Sequence, residues 1–231
     1  MIITQVYFVG AGPGTLELLS IKAERLIKTA DLVIHYGDAT APEIIELAAA
    51  DIISSYGKTL DEITDTIENY VKQKKTVVRI HSGDPSLFGG MLEQIHALEK
   101  RSIEVEVVPG ISAMFASAAL LKTQLTLPGV TQTVIVTRPE EPIEELSKHL
   151  ATMVIFLGVE KIQEIIDRVA YPPGTDVAVV YHAFWHDQKI IKGTISDIVE
   201  KVETAKIKHG AIIIIGEAAN PKTILTLDRG E

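Results

Sequence analysis

The stretch His81-Ser82-Gly83-Asp84-Pro85-Ser86-Leu87-Phe88-Gly89-Gly90 contains the residues whose types and spacing could do chemistry. Gly83 lets backbone approach a ligand closely, Asp84 can accept hydrogen bonds from hydroxyls or an amine, and Pro85 stiffens the turn while withdrawing one donor. Such a cradle suits a ligand held largely by main chain. The same residues also fit an Asp-Pro turn that only reverses the chain. A β-branched run, Thr76-Val77-Val78-Arg79-Ile80, precedes this stretch, and a helical pattern with Met91, Leu92, Ile95 and Leu98 follows. The loop therefore sits at the carboxyl end of a buried strand, where open α/β sheets bind ligands.

Other chemistries find less support. The chain has no cysteine, which excludes disulfides, thiolate metal sites and a cysteine nucleophile. No G-x-S-x-G elbow or Walker pattern occurs. His182 and His186 have i,i+4 spacing, but they fall at a strand end and loop, with no Glu between them and no third ligand near, so no metal site is expected. Gly10-Ala11-Gly12-Pro13-Gly14 follows a strand and invites a dinucleotide reading. The details resist it: Thr15 stands where the third glycine belongs, Pro13 removes a donor a pyrophosphate would need, and no acidic residue ends the next strand, Leu32 to Tyr36, since Asp38 lies past it.

The net charge of -9 argues against nucleic-acid binding, because phosphate contacts need clustered Lys and Arg. It does not argue against an anionic small molecule. Lys58, Arg79, His81, Lys122 and Arg138 fall at or near loop edges, where a local cluster could attract one. The longest apolar runs are far short of a membrane span, and the start carries no basic leader, so no membrane segment and a cytoplasmic location are expected.

The elements that must position these residues alternate between strand and helix. Gln5 to Val9, Leu32 to Tyr36, Asp51 to Ile53, Thr76 to Ile80 and Val105 to Val108 read as strands. Helical patterns begin near Leu16, cover Pro42 to Ala49, open at the capping-box spacing Thr59-Leu60-Asp61-Glu62, and run from Ala113 to Leu121. Thr126-Leu127-Pro128-Gly129-Val130 breaks the periodicity, which predicts two α/β domains, 1–122 and 123–231. In the second half, Gln132 to Thr137, Thr152 to Leu157, Asp176 to Tyr181 and Ala211 to Ile215 are strand-like, with helices at Ile143 to His149, Lys161 to Val169 and Ile195 to Glu203. Gln188 to Gly193 reads as a hairpin strand. The first sheet should thus be mostly parallel and the second mixed.

Three stretches in order, Val9-Gly10-Ala11-Gly12-Pro13-Gly14 with Leu18-Leu19-Ser20, Ser82-Gly83-Asp84-Pro85-Ser86, and Val108-Pro109-Gly110-Ile111-Ser112-Ala113, resemble the tetrapyrrole methylase family. Within it, Leu125 to Val134, Ala151 to Leu157 and Tyr181-His182-Ala183-Phe184-Trp185 look most like the branch that methylates C-11 of precorrin-4 or cobalt-precorrin-4 in cobalamin synthesis. The resemblance implies S-adenosylmethionine in a cleft between two α/β domains, leaving as S-adenosylhomocysteine, an anionic tetrapyrrole alongside, and a homodimer. By motif position, Pro13, Ser82, Gly83, Asp84, Leu87, Ser112 and Ala113 would line the cofactor site, joined by Leu157, Ala183 and Ala211 from the second half. Lys58, Arg79, Lys122 and Arg138 are the candidate partners for substrate carboxylates, and His35, Tyr36, Asp38 or His81 could assist a proton. One departure stands out: the family's longer segment after the Thr137-Arg138 match is shortened here to Pro139-Glu140-Glu141-Pro142. Rival readings are another methylase of the ring pathway (precorrin-2 C-20 or uroporphyrinogen-III type), a diphthine synthase, or a cofactor-binding domain without turnover.

Overall fold

In the computed structural model, which describes residues 5–221, the chain divides between Ala113 and Met114 into two compact units. The division falls at the first turn of a helix, whereas the sequence suggested residue 122, just past that helix's end.

In the first unit five strands, β1 (Val6–Gly10), β2 (Leu32–His35), β3 (Asp51–Ser54), β4 (Val77–His81) and β5 (Val105–Val108), form one sheet in the order β3-β2-β4-β1-β5. Every pairing is parallel, with β1 meeting β4 from Val6↔Val77 through Gly10↔His81. All five residues of β4 are buried, as expected for a central strand covered on both faces. Helices α1 (Ile21–Thr29), α2 (Pro42–Ile45), α3 (Leu60–Lys72) and α4 (Met91–Glu99) connect the strands. Val6, Phe8, Leu32, Ile34, Ile63, Ile67, Val77, Leu98 and Ile103 make its core.

Capping chemistry decides where these helices begin. The periodicity points to a start near Leu16, but Leu16–Leu18 forms only a single 3-10 turn. The Ser20 hydroxyl accepts the Ala23 amide at 3.1 Å, and α1 starts there. At α3 the capping box is complete: Thr59 N donates to Glu62 Oε2 at 2.7 Å, and Glu62 N donates to Thr59 Oγ1 at 3.2 Å. Helix α2 stops at Ile45, four residues before the end suggested by the sequence at Ala49.

The second unit contains α5 (Ala113–Leu121), β6 (Val134–Thr137), α6 (Ile143–Ser147), β7 (Thr152–Ile155), α7 (Ile162–Arg168), β8 (Asp176–Tyr181), β9 (Lys189–Thr194), α8 (Ile198–Thr204) and β10 (Ala211–Ile215). The sheet order is β6-β7-β10-β8-β9, parallel between β6 and β7 and antiparallel elsewhere. As the sequence suggested, β9 returns beside β8 as a hairpin strand, from Asp176↔Thr194 to Tyr181↔Lys189. The Pro139-Glu140-Glu141-Pro142 segment after β6 is tied down by Arg168, with Lys161 and Arg138 pairing with Glu140. Arg168 donates to the carbonyls of Pro139 (2.9 Å) and Glu141 (3.0 Å) and to the Glu144 carboxylate (2.7 Å), which it holds down at about 2.

Because both halves of the α3 capping box are present, Thr59→Ala should lower stability by about 1 kcal/mol. Urea denaturation should show an earlier midpoint with an unaltered slope. An unmoved midpoint would mean that the cap contributes nothing to this helix.

Candidate functional site

Strands β4, β1 and β5 are neighbours, so the loops leaving their carboxyl ends emerge side by side. Their backbones touch. A β-carbon added at Gly10 would lie 2.5 Å from the Gly110 nitrogen and 2.7 Å from the Gly83 oxygen, and one at Gly110 would overlap that same oxygen. Only residues without side chains allow three chains to meet this closely. Hydrogen bonds lock the junction: Ala11 N donates to His81 O (2.8 Å), Gly12 N to Gly83 O (3.1 Å) and Gly83 N to Gly12 O (2.9 Å). Gly12 and Gly83 both have φ of +67°, the left-handed region where glycine carries no steric penalty.

Asp84 fastens the β4 loop to the β5 loop. Its Oδ2 accepts the Gly110 amide at 2.9 Å, while Oδ1 accepts the Ser86 amide at 2.8 Å and, more closely, the Ser86 hydroxyl. Burial works to raise the carboxyl's pKa, but these three donors outweigh it and hold the group below its usual value. The acceptor identified in the sequence is therefore engaged with its own chain. It fixes the shape of the cradle.

Beneath the loop lies a buried polar floor. Arg79 and His81 alternate along β4 and share one of its faces; each is 5% exposed. Arg79 Nε donates to Gln94 Oε1 (3.2 Å), and its Nη1 reaches the carbonyls of Ile80 (3.2 Å) and Ile34 (3.5 Å). Gln94 in turn donates to the Gly90 carbonyl at 2.8 Å, and His81 Nδ1 to the Gly89 carbonyl at 3.0 Å. Thus strand and helix side chains pin both glycines that close the loop. Gly89 must be glycine because a β-carbon there would overlap the Pro85 carbonyl oxygen. The Gly89 carbonyl can only accept, so Nδ1 bears a proton, and the lowered pKa of the ring keeps His81 a neutral imidazole. Burial first, and then the Arg79 charge, push it down to about 4. Its Nε2 is buried with no hydrogen-bond partner among the described residues.

The other residues singled out by the sequence are placed as follows. Pro13 and Ser112 are buried, Leu87 and Ala113 partly so, and Ser82 is exposed, all on or beside the three loops of the first unit. Arg79 departs from the expectation of a solvent-facing cation for substrate carboxylates, because burial and three acceptors engage it in the floor. Lys58 and Lys122 are exposed, and Arg138 pairs with Glu140 at 3.4 Å. His81, buried and pushed down to about 4, is too weak a base to take up a departing proton, whereas His35 is half-buried and Tyr36 exposed; the Asp38 side chain lies outside the described residues. In the second unit, β10 runs antiparallel to β7 and β8, which brings Leu157, Ala183 and Ala211 to one edge of that sheet. Three non-glycine residues with positive φ gather there, Leu157 (53°), His182 (45°) and Phe184 (66°). Such strain concentrates where a surface must present particular groups. Gln94 was missed in the sequence reading; its only signal was a polar residue on the apolar stripe of Met91, Ile95 and Leu98.

Two outcomes follow from this geometry. Gly110→Ala should separate the β1, β4 and β5 loops and abolish ligand binding at this edge; wild-type binding in a folded variant would refute the close-contact account. For His81, the folded value near 4 lies below the ordinary 6.5. Its contribution is therefore intact above about pH 6.5 and is lost as pH falls toward 4, by about 3 kcal/mol in all. His81→Gln, which keeps the donor to Gly89 but does not titrate, should lose less stability than wild type over that window. Identical profiles would contradict the assignment.

Comparison with known proteins agrees with this architecture. Residues 5–199 match the family model described as Tetrapyrrole (Corrin/Porphyrin) Methylases. Among curated proteins, the cobalt-precorrin-4 C(11)-methyltransferase of Methanocaldococcus jannaschii is 46% identical, covering 94% of this chain and 89% of its own. The precorrin-4 C(11)-methyltransferase of Pseudomonas aeruginosa is 38% identical, covering 92% and 89%. Among solved structures, the X-ray structure of a cobalt precorrin-4 methyltransferase, a cobalamin biosynthetic enzyme, superposes with a TM-score of 0.90 at 33% identity, covering 94% of this chain and 96% of that one. The uroporphyrin-III C-methyl transferase of Thermus thermophilus, complexed with S-adenosyl homocysteine, superposes with a TM-score of 0.81 at 26% identity, covering 93% and 98%. With residues 5–199 matched by that family model and 46% identity to one of the curated relatives over 94% of its length, the chain belongs to the tetrapyrrole methylase family.

Proposed function

We propose that the chain is an S-adenosylmethionine-dependent C-methyltransferase acting at C-11 of cobalt-precorrin-4 or precorrin-4 in cobalamin biosynthesis. The observation that carries this reading is the cradle: three strand-end loops fused through Gly10, Gly83 and Gly110 and tied by Asp84, in a chain 46% identical to a cobalt-precorrin-4 C(11)-methyltransferase. Pro13, Ser82, Gly83, Asp84, Leu87, Ser112 and Ala113 would hold the cofactor from the first unit, and Leu157, Ala183 and Ala211 are its proposed contacts in the second. These residues fit such a guest. They offer backbone groups, small side chains and one carboxylate, and no charged cage.

The cofactor supplies a methyl group already activated on a sulfonium, and a reduced tetrapyrrole carbon is already nucleophilic. The protein's own work is then alignment and exclusion of water. The floor suits that work, since neutral His81 and hydrogen-bonded Arg79 hold the loop without presenting a nucleophile to compete for the methyl group. Lys58, Lys122 and Arg138 are the proposed cations for the ring's carboxylates. On the same reading the enzyme works in the cytoplasm as a homodimer, as the family resemblance implies. No helix among the described residues is long and apolar enough to cross a membrane.

Calorimetric titration with S-adenosylhomocysteine should give low-micromolar or tighter affinity, about -8 kcal/mol. Asp84→Ala should weaken it at least tenfold. Wild type should also transfer labelled methyl from S-adenosylmethionine to cobalt-precorrin-4. Undiminished affinity in Asp84→Ala would remove Asp84 from the site, and absent transfer to either ring would overturn the substrate assignment.

A further inference from the structure

The carboxyl edge of the first sheet continues past the cofactor loops. On the far side of β4 from β1 lies β2, and beyond it β3. The loops leaving these two strands carry Tyr36 and Tyr56, which are 53% and 73% exposed. Their ring centroids lie 5.8 Å apart at 64°, an edge-to-face pair. That arrangement covers one edge and leaves ring face open to solvent.

The pair stands on a fastened base. Ser55, between the strand end and Tyr56, is 3% exposed and donates twice to the His35 carbonyl, through its amide at 2.8 Å and its hydroxyl at 3.0 Å. The Tyr56 amide donates to the Ser54 hydroxyl at 3.2 Å, and His35 Nδ1 to the Gly37 carbonyl at 3.2 Å. The two loops therefore form one ledge. Lys58 stands at its rim, exposed, with its amide on the Ser55 carbonyl at 3.1 Å. The nearby Glu62 carboxylate feels the Lys58 charge, but its hydrogen bonds come from the Thr59 amide and hydroxyl, so the exposed Lys58 ammonium can also reach an outside anion.

We propose that Tyr36 and Tyr56 form the platform against which the face of the tetrapyrrole ring rests, with Lys58 receiving one of its peripheral carboxylates. This deepens the methyltransferase reading and rests on it. A tetrapyrrole is a broad apolar face edged by acids. Aromatic surface answers the face by removing it from water, and a cation at the rim answers the edge. Arg79 cannot serve as that cation because it is buried in the floor, so Lys58 is the basic residue on this ledge. The ledge lies beside the β4 loop that carries Asp84, on the side of β4 away from the β1 and β5 loops, so it extends the cradle's edge with residues of its own.

The test compares the full-length wild type with Tyr36→Leu/Tyr56→Leu, Tyr36→Phe/Tyr56→Phe and Lys58→Met. Three quantities are read: S-adenosylhomocysteine affinity by calorimetry, affinity for the stable porphyrin octacarboxylate uroporphyrin I by its absorbance shift, and KM for the tetrapyrrole in methyl transfer. The leucine pair should raise the porphyrin Kd and the KM at least tenfold with cofactor affinity unmoved, and the phenylalanine pair should stay within about twofold of wild type. Lys58→Met should weaken porphyrin binding severalfold and flatten its salt dependence. Porphyrin affinity unchanged in the leucine pair would overturn the proposal, as would a loss of cofactor affinity in its place. A wild type that binds S-adenosylhomocysteine but neither binds porphyrin nor methylates a tetrapyrrole would instead defeat the substrate reading, and the platform with it.

Discussion

Three stretches of backbone occupy space at the carboxyl edge of the first sheet that admits no side chain, and the candidate site depends on that contact. Gly10, Gly83 and Gly110 come from the ends of three adjacent parallel strands, and a β-carbon on Gly10 or Gly110 would meet main-chain atoms that have no rotamer to move into. Parallel pairing brings those ends to a common edge; the glycines let the loops close on one another there. Asp84 then converts proximity into a fixed geometry by accepting the Gly110 amide. The result is a surface made chiefly of peptide groups, suited to a guest recognised by shape and main-chain hydrogen bonds.

Electrostatics beneath the loop follow from the same crowding. A guanidinium 5% exposed is costly unless its donors find acceptors, and Gln94 and two carbonyls engage its Nε and Nη1. The neighbouring imidazole stays neutral because burial first, and then the Arg79 charge, disfavour a proton on it. Both groups act on the loop rather than on solvent. The polar floor thus serves to hold Gly89 and Gly90 in place, and the site it supports is close to uncharged apart from Asp84.

Much of this was legible in the residues. The apolar runs of β1 and β10 lack alternation, which marks strands covered on both faces, and the capping box at Thr59 and Glu62 announced α3. The Gly-Asp-Pro loop could be placed at a strand end from its flanks alone. Helix starts were less legible where a 3-10 turn intervened, because Leu16 and Leu19 share the periodicity of α1 while Ser20 holds the cap. Side-chain partners were the hardest to foresee. Nothing local in the sequence shows that Arg79 points into the unit rather than out of it, or that Gln94, fifteen positions on, is its acceptor. Such pairs depend on how helix and sheet dock, a long-range outcome that spacing along one element does not encode.

The central claim is that main chain in the β1, β4 and β5 loops receives the methyl donor, and amide hydrogen exchange tests it most directly. With saturating S-adenosylhomocysteine, exchange should slow at residues 82–88 and 110–113, and remain unchanged across β9 and α8. Calorimetrically confirmed binding with no added protection in those two segments would place the cofactor elsewhere and contradict the account.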